Sequence, residues 1–557
     1  MDLVVALAGD AAHVVAVRDG TPVERREMPV TDLPAWVTAR EGQGVRWVWA
    51  DSAQVYAVLL RSGVRVRGAV DLRMVRVLLR GAVAASGTAY ARGPEEHWDA
   101  GPPGARVPDP SAPDPGATLF ALPAHGPGVE ECVAEHLAQQ ECLAKVGDPG
   151  LRLLCHAESV GALIAQELNQ VGLPFSTEVH RARLAELLGE PDPHGGRPAR
   201  LAQLCAEIRH ALGTPGLNPD SQTDLVAALR GAGLHVSSTR KGELQRLDHP
   251  VGPPLLLYRE LSRLHTANGW AWLQAWVRAD RFRPDWVAGG VVTGRWASRG
   301  GGALQLPRQI RSAVRADPGW RLVVADAAQL EPRVLAAMAH DEAMALAGSA
   351  GDLYQALVDQ GVMDTRAHAK VAMLGAMYGA TTGEAGALMP RLRTAYPGAI
   401  GLVDAAARAG ERGEQVRTWL GRTSPLPPAE WYRTQRAAQE PGAGEAAERR
   451  ARQAARDWGR FTRNFVVQGT AAEWALCWMG HLRRILAETF GDEPRPWPEL
   501  VYFLHDEVIV HTPAQHAADV GEAVREAARA AGRLLFGDFP VDFPLDVAVV
   551  DSYDQAG

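Results

Sequence analysis

The stretch from Arg321 to Asp341 constrains the fold most, because it joins an apolar run to an aspartate and then to a helical pattern. The β-branched run at 321–325 follows a Pro-Gly breaker and predicts a buried strand that ends at Asp326. Apolar residues from Leu330 onward recur at helical spacing, which predicts a helix just past the carboxylate. Taken alone, Asp326 has a second interpretation, since an acid at this place often caps the following helix.

A second acidic segment lies far downstream, at residues 501–511. Its aromatic and β-branched residues predict a hairpin that presents His505, Asp506 and Glu507 at its tip or edge. Two distant strands that each deliver an aspartate supply hard oxygen ligands for two Mg²⁺ ions roughly 3.5–4 Å apart. The pair Asp326 and Asp506 therefore predicts phosphoryl-transfer chemistry and prompts a search for cations.

A helix predicted at residues 364–379 supplies two cations. Arg366 and Lys370 are four residues apart and share a face with Leu374 and Tyr378. Lysine occurs at only three positions of the chain, so Lys370 stands apart from casual surface charges. Two cations one turn apart suit a triphosphate, which the arginine grips as a fork and the lysine as a compact charge. A solvated basic face remains the alternative.

These segments together resemble the polymerase motifs of family A DNA polymerases. Residues 326–333 resemble motif A, residues 366–379 motif B and residues 505–507 motif C, in the family's order and spacing. Further segments resemble motifs of the thumb, the duplex-contacting region, the fingers and the helix before motif C: residues 258–264, residues 293–295 with Leu304 and Gln305, residues 396–398, residues 416–422 and residues 460–470. The resemblance extends from about residue 127 to the end of the chain.

The resemblance implies an α+β multi-domain fold. A right-hand polymerase, with an antiparallel palm sheet and helical fingers and thumb, would follow a small α/β exonuclease-like domain of the RNase H-like class. The expected divisions are an exonuclease-like domain at 1–90, a Pro/Gly-rich linker or insertion at 87–128, connecting helices at 129–172, the thumb at 173–290, a first part of the palm at 291–345, the fingers at 346–455 and a second part of the palm at 456–557.

The resemblance also implies roles for single residues. Asp326 and Asp506 would bind two Mg²⁺ ions, with Mn²⁺ as a substitute, while Arg366 and Lys370 would bind the triphosphate and Lys370 would protonate the leaving pyrophosphate. Residues expected in the nucleotide and sugar pocket are Glu331, as a gate against a ribose 2′-hydroxyl, with Gln329, Leu374, Tyr378, His505 and Glu507. Residues expected to contact DNA are Arg259, Arg263, Arg295, Arg460, Asn464 and Gln468.

A cationic run from Arg449 to Arg463 leads into a polar stripe at a spacing of four residues. The stripe contains Arg456, Arg460, Asn464 and Gln468. Side chains arranged in this way can hydrogen-bond the minor groove, whose acceptors recur at every base pair. A salt-bridged helix is the alternative for this stripe, and a solvated face is the alternative for the thumb arginines.

The first 90 residues alternate strands and helices, with strands expected at 3–8, 13–17, 45–50 and 64–70 and helices near 54–61 and 72–79. The exonucleases that this region resembles hold metal with four acids, of which two form Asp-x-Glu after the first strand. This chain has Ala-Leu-Ala-Gly-Asp there, keeps Asp51 as a candidate third acid, and reads Gln139-Gln140-Glu141 where the fourth is expected. Because divalent ions at such sites depend on carboxylates, we expect an inactive, structural domain.

Composition fits a globular protein with local cationic surfaces. The formal net charge of −7 excludes a generally basic coat, so DNA contacts must use local stripes. The five cysteines form no CxxC pair and suggest reduced thiols, and the N-terminus shows neither a basic leader nor a membrane span. We expect a cytoplasmic, nucleoid-associated monomer whose partners are primer-template DNA and dNTPs.

The expected function is a template-directed DNA polymerase that adds dNTPs to a primer 3′-OH by two-metal-ion transfer, in repair or gap-filling replication. A non-catalytic DNA-binding relative and a polymerase that retains 3′–5′ exonuclease activity are the alternatives. Departures from the family pattern are Ala327 and Ala328 in place of Tyr-Ser, Pro332 in place of an aliphatic residue and Leu374 in place of an aromatic one. They leave the acids and cations intact and bear on sugar selection.

Overall fold

The computed structural model describes residues 1–99, 126–192, 194–302, 306–349, 351–379, 383–491 and 497–556. Most of the predicted linker at 87–128, and the pair Leu304 and Gln305, lie outside the described residues. The fold mixes helices and sheets, as expected. Within the described ranges, every helix is too short or too polar to cross a membrane.

The N-terminal region contains a five-stranded sheet covered by helices. Its strands are β1 Asp2–Ala8, β2 Ala11–Arg18, β3 Thr21–Pro29, β4 Arg46–Trp49 and β5 Ala69–Asp71. The helices are α1 Leu33–Thr38, α2 Ser52–Arg61, α3 Leu72–Gly81, α4 Ala89–Arg92, α5 Val129–Val146 and α6 Pro149–Val171. The strand order is β3-β2-β1-β4-β5, with β1 antiparallel to β2 and parallel to β4, and β4 parallel to β5.

The predicted strand at 64–70 was wrong in extent, since β5 begins only at Ala69. The backbone before it accepts hydrogen bonds from a partly buried arginine instead of pairing with a neighbouring strand. Arg483, on a helix far along the chain, donates to the carbonyls of Val66 and Arg67 at 2.5 and 2.8 Å. The amphipathic hydrophobic pattern also missed β3, because that strand is mostly exposed and pairs only with β2.

A mainly helical region follows. Its helices are α7 Thr177–Leu188, α8 Ala199–Leu212, α9 Gln222–Gly231, α10 Lys241–Leu244, α11 Gly252–Asn268 and α12 Trp270–Trp276. Short strands flank them: β6 Leu173–Pro174, β7 Val277–Arg278, β8 Arg281–Phe282, β9 Asp285–Val287 and β10 Ala297–Arg299. These helices agree with the amphipathic helices predicted for the thumb region.

The C-terminal region combines one sheet with long helices. Its strands are β11 Trp320–Ala327, β12 Glu499–Leu504, β13 Glu507–Pro513 and β14 Leu545–Val550. The helices are α13 Leu330–Met338, α14 Glu342–Ser349, α15 Leu353–Asp359, α16 Arg366–Tyr378, α17 Gly383–Ala395, α18 Pro397–Glu411, α19 Ala429–Gln439, α20 Glu445–Phe490 and α21 Ala517–Phe536. The sheet is antiparallel with order β12-β13-β11-β14.

The predicted strand before Asp326, the helix after it and the hairpin around residues 505–507 are all confirmed. The centre of β11 is fully buried at Val323 and Ala325, and α20 buries Trp474 and Trp478 against the same core. Burying this much apolar surface fixes the strand register, because a slip of one residue would turn every buried side chain outward.

Candidate active site

Asp326 and Asp506 meet at one end of the C-terminal sheet. In the pairing of β11 with β13, Asp326 lies opposite Glu507, and the N–H of Ala327 donates to the carbonyl of Asp506 at 2.8 Å. The hairpin turns sharply there, since His505 has a left-handed φ of 55°. The tip therefore presents Asp506 beside the end of β11.

Both carboxylates hold their protons more tightly than free acids do. Burial raises the pKa of Asp506 to about 7, and the nearby charge of Asp326 adds to the rise. Burial also raises the pKa of Asp326, with a further contribution from Asp546, which lies opposite it in β14. Sequence reasoning missed Asp546, an exposed acid in an otherwise ordinary alternating strand.

The acidic pair fits a divalent cation that a substrate helps to hold. The described residues contain no group of three or more His, Cys, Asp and Glu side chains arranged around a metal position. Mg²⁺ is commonly bound through one or two carboxylates and completes its shell with water and substrate phosphates. Two crowded, partly buried carboxylates have unfavourable mutual repulsion, which a cation between them relieves.

A cavity of about 320 Å³ lies next to Asp506. The predicted site residues that line it are Arg295, Gln329, Glu331, Leu374, Tyr378, His505 and Asp506. Tyr354, which the sequence did not single out, lines it as well. It is 6% exposed and falls within an ordinary helical pattern, so no local signal distinguished it from a core residue.

Glu507 does not line this cavity, although we expected it in the nucleotide pocket. Its carboxylate accepts a hydrogen bond from the hydroxyl of Tyr553. The two residues lie in different local structures, because Asp506 belongs to the hairpin turn and Glu507 is the first residue of β13. Asp506 therefore lines the cavity, while Glu507 pairs with Asp326 in the sheet and bonds Tyr553.

Glu331 connects three elements around the cavity. It lies in the first turn of α13 and accepts hydrogen bonds from the Tyr378 hydroxyl, at 2.6 Å, and from the Arg295 guanidinium. Burial raises the pKa of Tyr378, and the bond to Glu331 raises it further, while contact with Gln468 acts in the opposite direction. The carboxylate of Glu331 thus brings together Arg295 and Tyr378, and Tyr378 also contacts Gln468.

Helix α16 lines the cavity with Leu374 and Tyr378, whereas its cations Arg366 and Lys370 are not among the lining residues. Arg366 stands over the ring of Tyr354, with 5.7 Å between the guanidinium carbon and the ring centroid, and its Nε donates to Asp352 at 2.6 Å. Lys370 is exposed and makes no hydrogen bond or ion pair with any residue that the structure describes. The guanidinium of Arg366 is therefore oriented by its neighbours, whereas the ammonium of Lys370 has no bonding partner among the described residues.

Gln329 links the turn after Asp326 to the start of α15. Its backbone is left-handed, with φ 56°, and its side-chain amide donates to Asp352 at 2.7 Å. Its amide oxygen accepts from the N–H of Leu353 at 2.9 Å. Sequence reasoning missed Asp352, although an aspartate just before a helical pattern is a recognisable N-cap signal.

The predicted polar stripe lies along α20, whose 46 residues extend from the surface into the core. Asn464 carries a buried amide oxygen that has no donor among the described residues. Arg460 is exposed and pairs with Asp457, so part of the salt-bridge alternative is also present. Arg463, counted in the cationic run, is instead buried and donates to the carbonyl of Ala376 at 2.7 Å.

Arg259 and Arg263 are not brought to the acidic pair. Both are exposed on α11 and line a separate cavity of about 1180 Å³ between the thumb-region helices and residues 306–311. Arg240, Lys241, Arg308 and Arg311 also line it. A large cavity rich in cations suits a polyanion more than a small apolar ligand.

Known proteins resemble the chain in sequence and in fold. DNA polymerase I of Chloroflexus aurantiacus is 26% identical over 438 residues, which are 73% of this chain and 42% of that protein. Thermostable DNA polymerase I of Thermus aquaticus is 26% identical over 439 residues, 73% of this chain and 47% of that protein. The chain thus spans about half the length of these relatives.

A solved structure, the POL domain of Pol1 from M. smegmatis in complex with DNA primer-template and dNTP, matches with a TM-score of 0.68. The match covers 98% of this chain and 93% of that one at 18% identity, so it shows the fold. Residues 198–555, more than half of the chain, match the sequence model of DNA polymerase family A. This chain therefore belongs to DNA polymerase family A.

Proposed function

We propose that this protein is a template-directed DNA polymerase that adds dNTPs to a primer 3′-OH, in DNA repair or gap-filling replication. One observation carries the proposal: the backbone bond between Ala327 and Asp506 holds two partly buried carboxylates together beside a cavity that Asp506 and Arg295 line. Relatives named DNA polymerase I, and a fold neighbour solved with primer-template and dNTP, support DNA and dNTPs as the substrates.

Asp326 and Asp506 would hold two Mg²⁺ ions, with Mn²⁺ as a substitute. When bound, such ions activate the primer hydroxyl and neutralise the charge of the triphosphate and of pyrophosphate. The carboxylates contribute hard oxygen ligands, and the raised pKa of Asp506, about 7, means that a cation must compete with a proton there near neutral pH.

Two residues of α16 would bind the triphosphate and assist departure of pyrophosphate. Arg366 would hold phosphate oxygens with its forked guanidinium, and Lys370 would add a compact charge. Lys370 would also donate a proton to the departing pyrophosphate, since its ammonium is exposed and has no competing partner among the described residues.

The residues around the 320 Å³ cavity would select the nucleotide. Glu331 would occupy the space that a ribose 2′-hydroxyl requires, and its bond from Tyr378 would fix its position. Leu374 would present a smaller apolar surface to the nucleotide than an aromatic side chain does. His505 and Gln329 would complete the lining.

The DNA would lie between the thumb region and α20. Arg295, Arg460, Asn464 and Gln468 would follow the minor groove, and the unpartnered amide oxygen of Asn464 would find donors there. Arg259 and Arg263 would contact phosphates, as would the other cations of the 1180 Å³ cavity.

We also propose the division into an exonuclease-like domain at 1–90, a thumb at 173–290, a palm at 291–345 and 456–557 and fingers at 346–455. The N-terminal domain would be inactive because its remaining acids are engaged elsewhere. Asp51 caps α2 through the N–H of Ala53, at 2.8 Å, and Asp71 accepts from Ser52 and Met74. Gln139, in place of an acid, donates to the carbonyl of Leu72 at 2.8 Å.

Primer extension tests the proposal and separates its alternatives. The purified protein, a labelled primer-template, dNTPs and Mg²⁺ should give template-dependent extension. DNA binding without extension would instead support a non-catalytic relative. Shortening of a labelled single strand without dNTPs would support retained 3′–5′ exonuclease activity. We expect a cytoplasmic, nucleoid-associated monomer, which light scattering and fractionation of cells would check.

A further inference from the structure

Asp352 joins three separate parts of the active site through one carboxylate. Its Oδ1 accepts from the side chain of Gln329 at 2.7 Å and from the N–H groups of Tyr354 and Gln355 at 2.9 and 3.3 Å. Its Oδ2 accepts from Nε of Arg366 at 2.6 Å. The turn after Asp326, the start of α15 and the start of α16 therefore meet at this side chain.

The two carboxylate oxygens of Asp352 have different hydrogen-bond partners. Oδ1 accepts from the helix start and from the motif A turn, whereas Oδ2 accepts only from Arg366 among the residues that the structure describes. Arg366 in turn uses only Nε, and its two terminal nitrogens bond no residue that the structure describes. A guanidinium has five N–H donors in a fixed plane, so holding Nε orients the other four.

We propose that Asp352 is a positioning residue for nucleotide binding, which holds Arg366 so that its terminal nitrogens face the triphosphate. This inference rests on the proposed function. The carboxylate of Asp352 is engaged by Gln329, by the start of α15 and by Arg366, so it acts through Arg366 rather than on the nucleotide. Pre-ordering a long side chain removes part of the entropy cost of binding.

A simple electrostatic argument predicts the opposite effect. Asp352 carries a negative charge near the position of a triphosphate, so its removal should tighten nucleotide binding if charge alone mattered. The side chain of Asp352 is 36% exposed and that of Arg366 is 54% exposed. Water and salt screen a charge at such exposure. The directed hydrogen bond is therefore the larger effect, and the two explanations differ in sign.

The substitution Asp352→Asn distinguishes the electrostatic explanation from the hydrogen-bond explanation. Asparagine keeps an oxygen for Gln329 and the helix start, but its amide presents a donor where Oδ2 accepted from Arg366. We expect the KM for dATP to rise by about tenfold with kcat nearly unchanged, as for loss of one hydrogen bond to a charged group. An unchanged or lower KM would overturn the proposal.

A matched control is Asp148→Asn. Asp148 also caps a helix, accepting from Gly150 and Leu151 at 2.9 and 3.2 Å, and also binds an arginine, Arg417, at 2.7 Å. Its partners Gly150, Leu151 and Arg417 lie outside the proposed nucleotide site, so the KM for dATP of Asp148→Asn should remain that of the parent protein. A tenfold rise in this control as well would show a general loss of stability and overturn the assignment.

The double variant Asp352→Asn with Arg366→Ala tests the route of the effect. If Asp352 acts through Arg366, the double variant should have the KM of Arg366→Ala alone, whereas independent effects would multiply. Calorimetric binding of dATP with Mg²⁺ provides a readout that does not need extension. The parent protein could bind dATP without ever extending a primer, and Asp352→Asn could weaken that binding. This result would refute the proposed polymerase function but would support the positioning role of Asp352.

Discussion

The N–H of Ala327 donates to the carbonyl of Asp506 at 2.8 Å, which joins the end of β11 to the tip of the β12–β13 hairpin. A main-chain bond of this kind does not depend on which side chains are present. It fixes the distance between two acids that are far apart in sequence. A slip of one residue in this register would send Asp326 to the opposite face of the sheet.

Replacing Glu331 should relax selection of the sugar. Glu331→Ala opens space beside Tyr378 and removes the carboxylate that Tyr378 and Arg295 share. We expect the preference for dATP over ATP, as a ratio of kcat/KM values, to fall by roughly 10- to 100-fold. Glu331→Gln keeps the volume and should retain most of the preference, and equal ratios in all three proteins would refute the gate.

Removing Lys370 should slow the chemical step. It is exposed and unpaired within the described chain, so Lys370→Ala should leave stability unchanged. Loss of a general acid predicts a fall of kcat on the order of 100-fold in single-turnover extension. Lys145→Ala, on the exposed face of α5, removes the same charge elsewhere and should have no effect. A Lys370→Ala protein with normal kcat would exclude the acid role.

Replacing Arg259 should change the salt dependence of DNA binding. The arginine is exposed and lines the large cationic cavity. Loss of one phosphate contact predicts that the slope of log K against log salt becomes shallower by about one. Arg484→Ala, which removes an exposed arginine paired with Glu488, should keep the parent slope. If Arg259→Ala and Arg484→Ala had the same slope of log K against log salt, Arg259 would not contact DNA phosphates.

A buried acid in α20 should make stability fall as the pH rises. Burial raises the pKa of Glu473 to about 7 from 4.5, although bonds from Thr418 and from the N–H of Leu420 oppose the rise. The folded protein therefore binds this proton more tightly than the unfolded chain does. Its contribution is full below about pH 4.5 and is lost as the pH rises through 7, by on the order of 3 kcal/mol.

Glu473→Gln cannot titrate, and this isolates the contribution of one group. Urea unfolding at pH 5 and pH 8, followed by tryptophan fluorescence, should show that the variant gains stability relative to the parent at the higher pH. Parallel changes in the two proteins would contradict the assignment of this pH dependence to Glu473.

The acidic pair was predictable because its signals are local. A β-branched run ending at Asp326 and an apolar segment interrupted by Asp506 each specify a strand, and the structure has both. The different placement of Glu507 depends on where the hairpin turn ends, since Asp506 lies in the turn and Glu507 begins β13. Its place in the nucleotide pocket stays a prediction.

Other features depend on partners that sequence spacing does not reveal. The segment before β5 fails to form a strand because Arg483, more than 400 residues away, bonds its carbonyls. Asp352 has an ordinary cap signal, but its bond to Arg366 arises only when α15 and α16 pack together. Such long-range polar contacts have no periodicity in the sequence.

The most direct test of the account compares single-turnover primer extension by the parent protein, Asp326→Ala, Asp506→Ala and Asp546→Ala. Asp546 is the matched acid, because it lies opposite Asp326 in β14 and is exposed. The account predicts that either of the first two substitutions abolishes extension while DNA binding persists, and that Asp546→Ala stays within a few-fold of the parent rate. Extension that survives in Asp326→Ala or Asp506→Ala would contradict it.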